Sequence, residues 1–249
     1  MKHLNELSLA STLAVALVAL TLVATGCASR SQSTTSGVPK ADKLCALTFD
    51  DGPSEDLTPL VLEKLEKHGV VATFFMVGQN INDDTKPVID RIVKMNCEIG
   101  NHSWGWGSMN QMDEEEIAES VRKTTAAIKK YSGKEPAFFR PPNLAADDVM
   151  YDVIRLPFAE GVLGMDWAGC DTDAAARANN VLSGMRDGAI ILLHDVQPEP
   201  HPTPEALDIL IPELKKQGYE FVTLSELFRR KGVDPRTKIA EYEMWKYVE

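Results

Sequence analysis

Residues 47–53 read Leu-Thr-Phe-Asp-Asp-Gly-Pro and follow the apolar residues Leu44 to Ala46. The apolar run predicts a buried strand, and the carboxylates of Asp50 and Asp51 stand where that strand ends. Because side chains alternate along extended backbone, we expect these two carboxylates to point in different directions. One of them could hold a metal while the other accepts a proton. The same residue types are common in solvated turns, so the rest of the chain has to decide.

Strand-like and helix-like segments alternate along the chain from about residue 41 to residue 231. Apolar runs such as 70–77 and 189–194 are typical of strands buried on both faces, and periodic segments such as 57–68 predict helices between them. This alternation implies a parallel sheet covered by helices. The alternating part is short for a regular eight-fold barrel of about 250 residues, so we predict an α/β fold with a distorted or incomplete barrel.

Polar residues stand at the carboxyl ends of five predicted strands. They are Asp50-Asp51, His102, Arg140, Asp166 and His194. Parallel α/β folds place active sites at this edge of the sheet. A core histidine or an acidic turn would explain any one of these positions alone. Their shared location favours a functional site over five separate explanations.

These residue types together indicate metal-assisted hydrolysis of an acyl group. His102 and one carboxylate suit zinc, cobalt, nickel or iron. The second carboxylate can accept a proton from water, and a protonated His194 can donate one to the leaving group. Arg140 can orient a carboxylate, and Asp166 can hold the His194 ring and favour its charged form. The sequence contains no Gly-x-Ser-x-Gly, so a serine esterase mechanism has no support.

Five short motifs carry a resemblance to a known family. They are Thr48-Phe49-Asp50-Asp51-Gly52-Pro53, His102-Ser103, Arg140-Pro141-Pro142, Asp166-Trp167 and Leu192-Leu193-His194. Together they resemble the motifs of the polysaccharide deacetylases of the NodB-homology type, also called carbohydrate esterase family 4. The resemblance covers about residues 43–232.

The resemblance implies three sets of site residues. The general base, the residue that orients it, the general acid and the residue that tunes the acid would be Asp50, Arg140, His194 and Asp166. The protein ligands of a divalent metal, namely zinc, cobalt or nickel, would be Asp51 and His102. Trp167 and Leu192 would line the pocket for the acetyl methyl group. Two further residues complete the expected substrate contacts: Asn143 through its backbone N–H, and Trp106, whose ring would either stack on a sugar or pack within the protein.

Three departures from the family pattern bear on this site. Trp106 stands where the family usually has a second metal-binding histidine, which leaves two protein ligands plus waters or substrate. Asn143 replaces a tyrosine whose backbone N–H serves the family as an oxyanion donor, and Leu163 replaces an aspartate. These departures resemble the acetylxylan esterase branch, as does the Pro-rich segment after His194. That branch implies removal of O-acetyl groups from xylan.

Two alternatives stay open from the sequence. N-deacetylation of peptidoglycan or chito-oligosaccharide would use the same residues, because nothing in their spacing separates an ester from an amide. A non-catalytic glycan-binding lipoprotein would have lost its activity together with the second histidine. The acid–base residues Asp50, Arg140, Asp166 and His194 argue against this last alternative, because a binding module does not need them.

The start of the chain predicts export. Residues 1–26 are typical of a secretory signal, and the Gly26-Cys27 junction resembles a bacterial lipobox in which Cys27 becomes lipidated. We expect a cell-surface lipoprotein of a bacterium, with free secretion as the alternative. The net charge of −11 argues against nucleic acid as a partner. The expected partner is an acetylated polysaccharide, the membrane is contacted only through the lipid at Cys27, and the protein is expected to be a monomer.

The rest of the chain divides into three parts. We expect residues 27–41 to form a flexible linker and residues 42–232 to form the deacetylase domain, and residues 233–249 to form a tail to which the sequence assigns no function. With Cys27 lipidated, three cysteines remain, and none of them forms a Cys-x-x-Cys pair. We expect them to be free, with a Cys45–Cys97 bridge left open.

Overall fold

The computed structural model describes residues 43–167, 173–198 and 201–249. The predicted signal segment, the linker and Cys27 lie outside these residues, and so does Cys170. Among the residues that are described, no helix combines the length and the hydrophobicity needed to cross a membrane.

Strands and helices alternate along the described chain. The strands are β1 (Lys43–Asp50), β2 (Thr73–Met76), β3 (Glu98–Asn101), β4 (Val162–Leu163), β5 (Ala189–His194) and β6 (Tyr219–Val222). The helices are α1 (Thr58–His68), α2 (Lys86–Lys94), α3 (Glu114–Ser132), α4 (Asp148–Val153), α5 (Ala174–Ser183), α6 (Thr203–Lys216) and α7 (Leu224–Lys231). Short 3₁₀ segments occur at Gly78–Asn80, Met109–Gln111, Pro142–Leu144 and Pro235–Glu241.

The strand β1 is the centre of a parallel sheet in the order β3-β2-β1-β5-β4. One edge of β1 pairs with β5, and the other edge is shared by β6, opposite residues 43–46, and β2, opposite residues 48–50. In this register Asp50 is the partner of His194. Backbone pairing alone therefore places these two predicted site residues side by side.

The barrel wall continues beyond β3 through single bridges instead of strands. Asn101 bridges to Phe139, and Phe139 bridges to Phe158. The strand that the sequence predicts at residues 137–140, ending at Arg140, is thus reduced to a single bridging residue, Phe139, because the prolines at 136, 141 and 142 have no N–H for a ladder. The prediction of an α/β fold with an incomplete barrel is confirmed.

Helix boundaries follow the signals in the sequence. Asp113 caps α3 by accepting a hydrogen bond from the Glu116 N–H at 2.9 Å, and the Glu116 side chain accepts one from the Asp113 N–H at 3.0 Å. The two bonds form a capping box, which the Asp-x-x-Glu spacing of residues 113–116 predicts. The helix ends at Gly133, whose φ of 70° is a left-handed conformation that glycine adopts without strain.

The two cysteines in the described part of the chain, Cys45 and Cys97, are free thiols. The bridge between them that the sequence left open is therefore not formed. Cys45 lies within β1 and has no exposed surface. Burial raises the pKa of its thiol and raises the pKa of Cys97 to about 11, so both stay protonated at neutral pH.

The end of the chain forms a strap across the open part of the barrel wall. We call residues 245–248 the C-terminal strap. On one side it exchanges backbone hydrogen bonds with Phe158 and Glu160, both at 2.9 Å. On the other side it bonds to Gly188 at 2.8 Å and to Ile190 at 3.0 Å. The strap thus fills the space between the segment after Phe158 and the start of β5.

Replacing Trp245 with Ala should lower the free energy of unfolding by about 3–5 kcal/mol. Its ring is only 8% exposed, packs edge-on against Phe228 with centroids 5.0 Å apart, and donates its Nε1–H to the Pro235 carbonyl at 2.8 Å. Urea unfolding followed by circular dichroism measures the cost. Trp167→Ala is the matched control, and because Trp167 is 47% exposed its cost should be about half as large or less. Equal costs would contradict a stabilising strap.

Candidate active site

A cavity of about 430 Å³ opens at the carboxyl ends of the strands. Its lining includes eight of the ten predicted site residues, namely Asp50, Asp51, His102, Trp106, Asn143, Trp167, Leu192 and His194. The other two, Arg140 and Asp166, are buried behind this lining, and each hydrogen bonds to one of its residues. The structure therefore brings all ten residues to one place.

Arg140 holds Asp50 from beneath the cavity. The guanidinium is fully buried and donates from Nη1 to the Asp50 Oδ1 at 2.6 Å and to the Thr48 hydroxyl at 2.8 Å. Its Nε and Nη2 donate to the carbonyls of Ala159 at 3.0 Å and Glu160 at 2.8 Å. Burial lowers the pKa of Arg140, while the Asp50 charge opposes that change. Four fixed acceptors leave the guanidinium, and with it the carboxylate, a single orientation.

Asp50 and Asp51 converge on the same histidine. The His102 Nε2 lies 3.5 Å from the Asp51 Oδ1 and 3.9 Å from the Asp50 Oδ2. The expectation that strand alternation would point the two carboxylates in different directions is wrong. Asp51 lies one residue past β1 and has a left-handed φ of 77°, so the alternation of the strand no longer applies to it.

The two predicted metal ligands form a compact pair of donors. The His102 Nδ1 donates to the Arg140 carbonyl at 2.7 Å, which directs Nε2 toward Asp51. Burial opposes charge on both groups, but their contact and the nearby Asp50 and His194 raise the pKa of His102 and lower that of Asp51. Both shifts favour the charged forms, imidazolium and carboxylate, and a cation bound by the two groups would compete with the proton on the ring.

This donor set fits an open divalent metal site with two protein ligands. Imidazole nitrogen and carboxylate oxygen are ligands that zinc, cobalt and nickel accept. Across residues 43–167, 173–198 and 201–249, no group of three or more His, Cys, Asp or Glu side chains is arranged to hold a metal ion. Trp106, in the place of a second histidine, lines the cavity and adds a hydrogen bond that lowers the pKa of Asp51.

His194 is held by Asp166 on the opposite side of the cavity. The Asp166 Oδ1 accepts from the His194 Nδ1 at 2.8 Å, and Oδ2 accepts from the His194 backbone N–H at 2.7 Å and from the Thr203 hydroxyl at 2.8 Å. Burial opposes the charged ring, but the bond and charge of Asp166, with Asp50 and Asp51, raise the pKa of His194 to about 9. The protonated Nε2 faces the Asp51 Oδ2 at 3.9 Å.

Apart from Asn143, the remaining lining of the cavity is apolar and aromatic. The Trp167 ring packs edge-on against the His194 ring, with centroids 5.4 Å apart. Leu192 is buried beneath it, and Leu163 takes the place of the family's aspartate. Trp106 and Trp167 are each 47% exposed, so both rings present a free face to a ligand. This mixture of apolar walls and a few fixed polar groups is typical of a small-ligand site.

Two supporting residues were absent from the predicted set. Thr48 accepts from Arg140, and Thr203 donates to Asp166. Thr48 had a signal in the sequence, because alternation along β1 puts residues 48 and 50 on the same face. Thr203 lies in the Pro-rich segment after His194, at the first residue of α6, but nothing in the sequence indicated its bond to Asp166, because that contact depends on the tertiary fold.

The fold and this site define a class of protein. A buried carboxylate and a protonated histidine face one cavity across a pair of metal-type donors, at the edge where α/β barrels carry out catalysis. That arrangement is characteristic of α/β-barrel hydrolases.

Comparisons with known proteins identify the family. The sequence profile of a family described as "Polysaccharide deacetylase" matches residues 37–156. The chain is 45% identical over 227 residues to a bifunctional xylanase/deacetylase of Pseudobutyrivibrio xylanivorans. This alignment covers 91% of the present chain and 37% of the xylanase/deacetylase. The chain is 37% identical over 197 residues to a peptidoglycan-N-acetylglucosamine deacetylase of Listeria monocytogenes, covering 78% of this chain and 41% of that protein.

A solved structure is similar over almost all of its own length. It is a family 4 acetyl xylan esterase from Clostridium thermocellum in complex with a cobalt ion, with a TM-score of 0.80 and 52% identity, covering 83% of this chain and 99% of that one. The present chain belongs to the polysaccharide deacetylase family, carbohydrate esterase family 4, which confirms the resemblance seen in the sequence. It spans about two fifths of the length of the two curated relatives above.

Proposed function

We propose that the protein is a metal-dependent carbohydrate esterase that removes O-acetyl groups from xylan. The observation that carries this proposal is the pairing of Asp50 with Arg140 and of His194 with Asp166 around a single cavity. A base and an acid, each fixed by its own partner, are what hydrolysis of an acyl group needs. The relatives named for xylan support the choice of substrate.

The proposed proton transfers use the two fixed pairs of residues. A water molecule attacks the acetyl carbonyl carbon, and Asp50 accepts the proton that the water loses. The bond from that carbon to the sugar oxygen breaks, and the His194 Nε2 donates its proton to the departing oxygen. The products are acetate and a free sugar hydroxyl. Arg140 keeps Asp50 in place, and Asp166 keeps the His194 Nδ1 bonded so that Nε2 faces the cavity.

Asp51 and His102 are the residues that would hold a divalent cation, with zinc, cobalt and nickel as candidates. When bound, such a cation polarises a carbonyl oxygen and makes a bound water more acidic. The cobalt ion in the similar acetyl xylan esterase structure supports this assignment. Trp167 and Leu192 would surround the acetyl methyl group, Trp106 would contact a sugar ring, and Asn143 would lie beside the carbonyl oxygen.

A second candidate is N-deacetylation of peptidoglycan or chito-oligosaccharide. The Listeria relative, a peptidoglycan-N-acetylglucosamine deacetylase, is the observation that favours it. The same base and acid would serve an amide. The apolar and aromatic rim formed by Trp106, Leu163 and Trp167 does not separate the two substrates, so the comparison has to be made by experiment.

Acetate release provides that experiment. The full chain, purified in mild detergent, is stripped with a chelator and assayed on acetylated xylan and on acetylated chito-oligosaccharide, with zinc, cobalt, nickel or manganese added back. Metal-dependent release from xylan is expected. Release only from the chitin-type substrate would replace the proposal with its alternative. No release from either substrate with any metal would favour a glycan-binding protein without activity.

The pH dependence of this activity should change when Asp166 is replaced by Asn. With its pKa raised to about 9, His194 stays protonated below that pH, and activity should fall as the pH rises through it. Asp166→Asn removes the largest charge that raises this pKa, so the alkaline limb of the kcat profile should move down by at least about one pH unit. Thr203→Val is the control, because it removes only a neutral hydrogen bond to Asp166. An unmoved limb in Asp166→Asn would contradict the assignment of His194 as the acid.

We also propose a bacterial cell-surface location through a lipid at Cys27, supported by the sequence. Extraction of the full chain from membranes by detergent but not by high salt would agree with this location, and recovery in the soluble fraction would contradict it.

A further inference from the structure

Asp195, the residue after His194, is buried at the base of the site and has no role in the proton transfers. It is 1% exposed, and its Oδ2 accepts a hydrogen bond from the Thr58 hydroxyl at 2.5 Å. Its Oδ1 has no hydrogen-bond partner in the described part of the chain. The backbone N–H of Asp195 donates to the Asp50 carbonyl at 3.2 Å. Burying a carboxyl group with one oxygen that makes no hydrogen bond lowers the stability of the fold. Packing alone therefore does not account for an aspartate at position 195.

The same carboxyl group occupies the space where a side chain at position 52 would begin. A Cβ built on Gly52 would overlap the Asp195 carboxyl, well inside any allowed contact distance. Gly52 does not have a left-handed φ, so this overlap is the reason for a glycine here. Thr58 also accepts the Ser54 N–H at 2.9 Å. Asp195 thus contacts the turn after Asp51 directly at Gly52 and again through Thr58.

Other contacts fix this turn from the side of β2. The Val77 N–H donates to the Gly52 carbonyl at 2.8 Å, and the Asn80 side chain donates to the Asp51 carbonyl at 2.9 Å. Asp195 supplies the contact from the side of β5. Without the Asp195 carboxyl group, the side of the turn that faces β5 would lose its side-chain contacts to Gly52 and Thr58, next to a residue, Asp51, that already has a left-handed backbone.

We infer that Asp195 is a positioning residue that ties the Asp51 turn to the His194 loop and so sets the separation of the metal-binding carboxylate from the acid. This inference rests on the proposed function for the roles of Asp51 and His194. The contact itself does not depend on the identity of the substrate, because it joins two loops of the protein. Burial raises the pKa of Asp195 to about 7, which is consistent with a group that acts through shape and hydrogen bonding.

A double-mutant cycle between positions 52 and 195 tests the contact. Gly52→Ala alone should weaken cobalt binding and lower kcat by about tenfold or more, because the new methyl group displaces the turn. Asp195→Ala alone should lower both cobalt affinity and kcat by about threefold to tenfold. In the double variant the new methyl group at position 52 enters the space that the Asp195 carboxyl group has left. Adding Gly52→Ala to Asp195→Ala should therefore lower cobalt affinity and kcat by less than about twofold. Coupling of this size is expected for residues in contact.

The measurements are calorimetric titration of cobalt into the chelated full chain without substrate, kcat and KM for acetate release, and a thermal melt to establish folding. Gly107→Ala is the matched control, since its nearest neighbour, the Met112 Cε, lies 3.8 Å from the new Cβ. Thr58→Val should resemble Asp195→Ala, and Thr58→Ser should retain wild-type cobalt affinity.

If the wild-type chain binds cobalt and releases acetate, but the losses of cobalt affinity and kcat in the two single variants simply add in the double variant, the inference about Asp195 is overturned. The proposed function would be unaffected by that result. Loss of thermal stability in Asp195→Ala without any change in cobalt affinity or kcat would also overturn the inference, because the role would then be structural. A wild-type chain that neither binds cobalt nor releases acetate would overturn the proposed function and, with it, the positioning role.

Discussion

Replacing Asp50 with Asn is expected to lower kcat for acetyl ester hydrolysis by about 10²–10⁴-fold, the usual contribution of a positioned general base. An amide of the same shape cannot accept the proton that water loses. KM should change little, because Asp50 is 3% exposed and contributes little surface to substrate contact. Initial rates of acetate release under saturating metal measure both constants.

The division of roles between the two adjacent carboxylates makes this prediction sharper. Asp50→Asn should keep cobalt affinity within about threefold of wild type, whereas Asp51→Asn should lose affinity by about tenfold to 100-fold, in the range seen for residues that support metal sites. Asp90→Asn, an exposed surface change on α2, should leave rates and affinity unchanged. Equal loss of cobalt affinity in the Asp50 and Asp51 variants would contradict the assignment of Asp50 as the base.

The position of the site could be predicted from the sequence because it depends on strand ends. Parallel strands share a direction, so residues that follow them meet at one edge. The register of β1 and β5 then places Asp50 opposite His194, and the alternation of β1 puts Thr48 on the face of Asp50. These relations follow from regular backbone geometry.

The local geometry of the site could not be predicted, because it depends on irregular backbone. In the described chain, seven non-glycine residues have positive φ, and five of them flank the site: Asp51, Ser103, Asn143, Leu144 and Met165. Periodicity carries no information about such conformations. The convergence of Asp50 and Asp51 on His102 is the clearest result, since it reverses what strand alternation alone would give.

The pairing of the C-terminal strap with the barrel wall also could not be predicted from the sequence. Residues 245–248 show neither helical periodicity nor clear alternation, and their partners lie at Phe158–Glu160 and Gly188–Ile190. The space that they fill exists only because the prolines around Phe139 leave the barrel wall without a regular strand. The strap bonds to the backbone of Glu160, whose carbonyl holds Arg140, so the end of the chain supports the residue that orients Asp50.

Replacing Arg140 with Met should have a large effect on both stability and rate. It removes the only charged group that hydrogen bonds to Asp50 among the described residues, and it leaves the buried carboxylate with no positive group closer than the His102 Nε2 at 3.9 Å. Breaking a buried pair in this way costs about 3–5 kcal/mol. We expect a loss of that size in urea unfolding and a fall in kcat of at least about 100-fold, since the base loses its fixed orientation.

Arg140→Met removes both the positive charge and the hydrogen bonds of the guanidinium, and further variants separate the effects of these two losses. Arg140→Lys keeps the charge but cannot reach the Asp50, Thr48, Ala159 and Glu160 acceptors together, so it should recover part of the stability and little of the rate. The double variant Asp50→Asn with Arg140→Met should unfold less easily than Arg140→Met alone, because no unpaired charge is left in the interior. If the two changes were additive in stability, Asp50 would not be the charge that Arg140 neutralises. The arrangement beneath the cavity would then have to be explained by the three neutral acceptors.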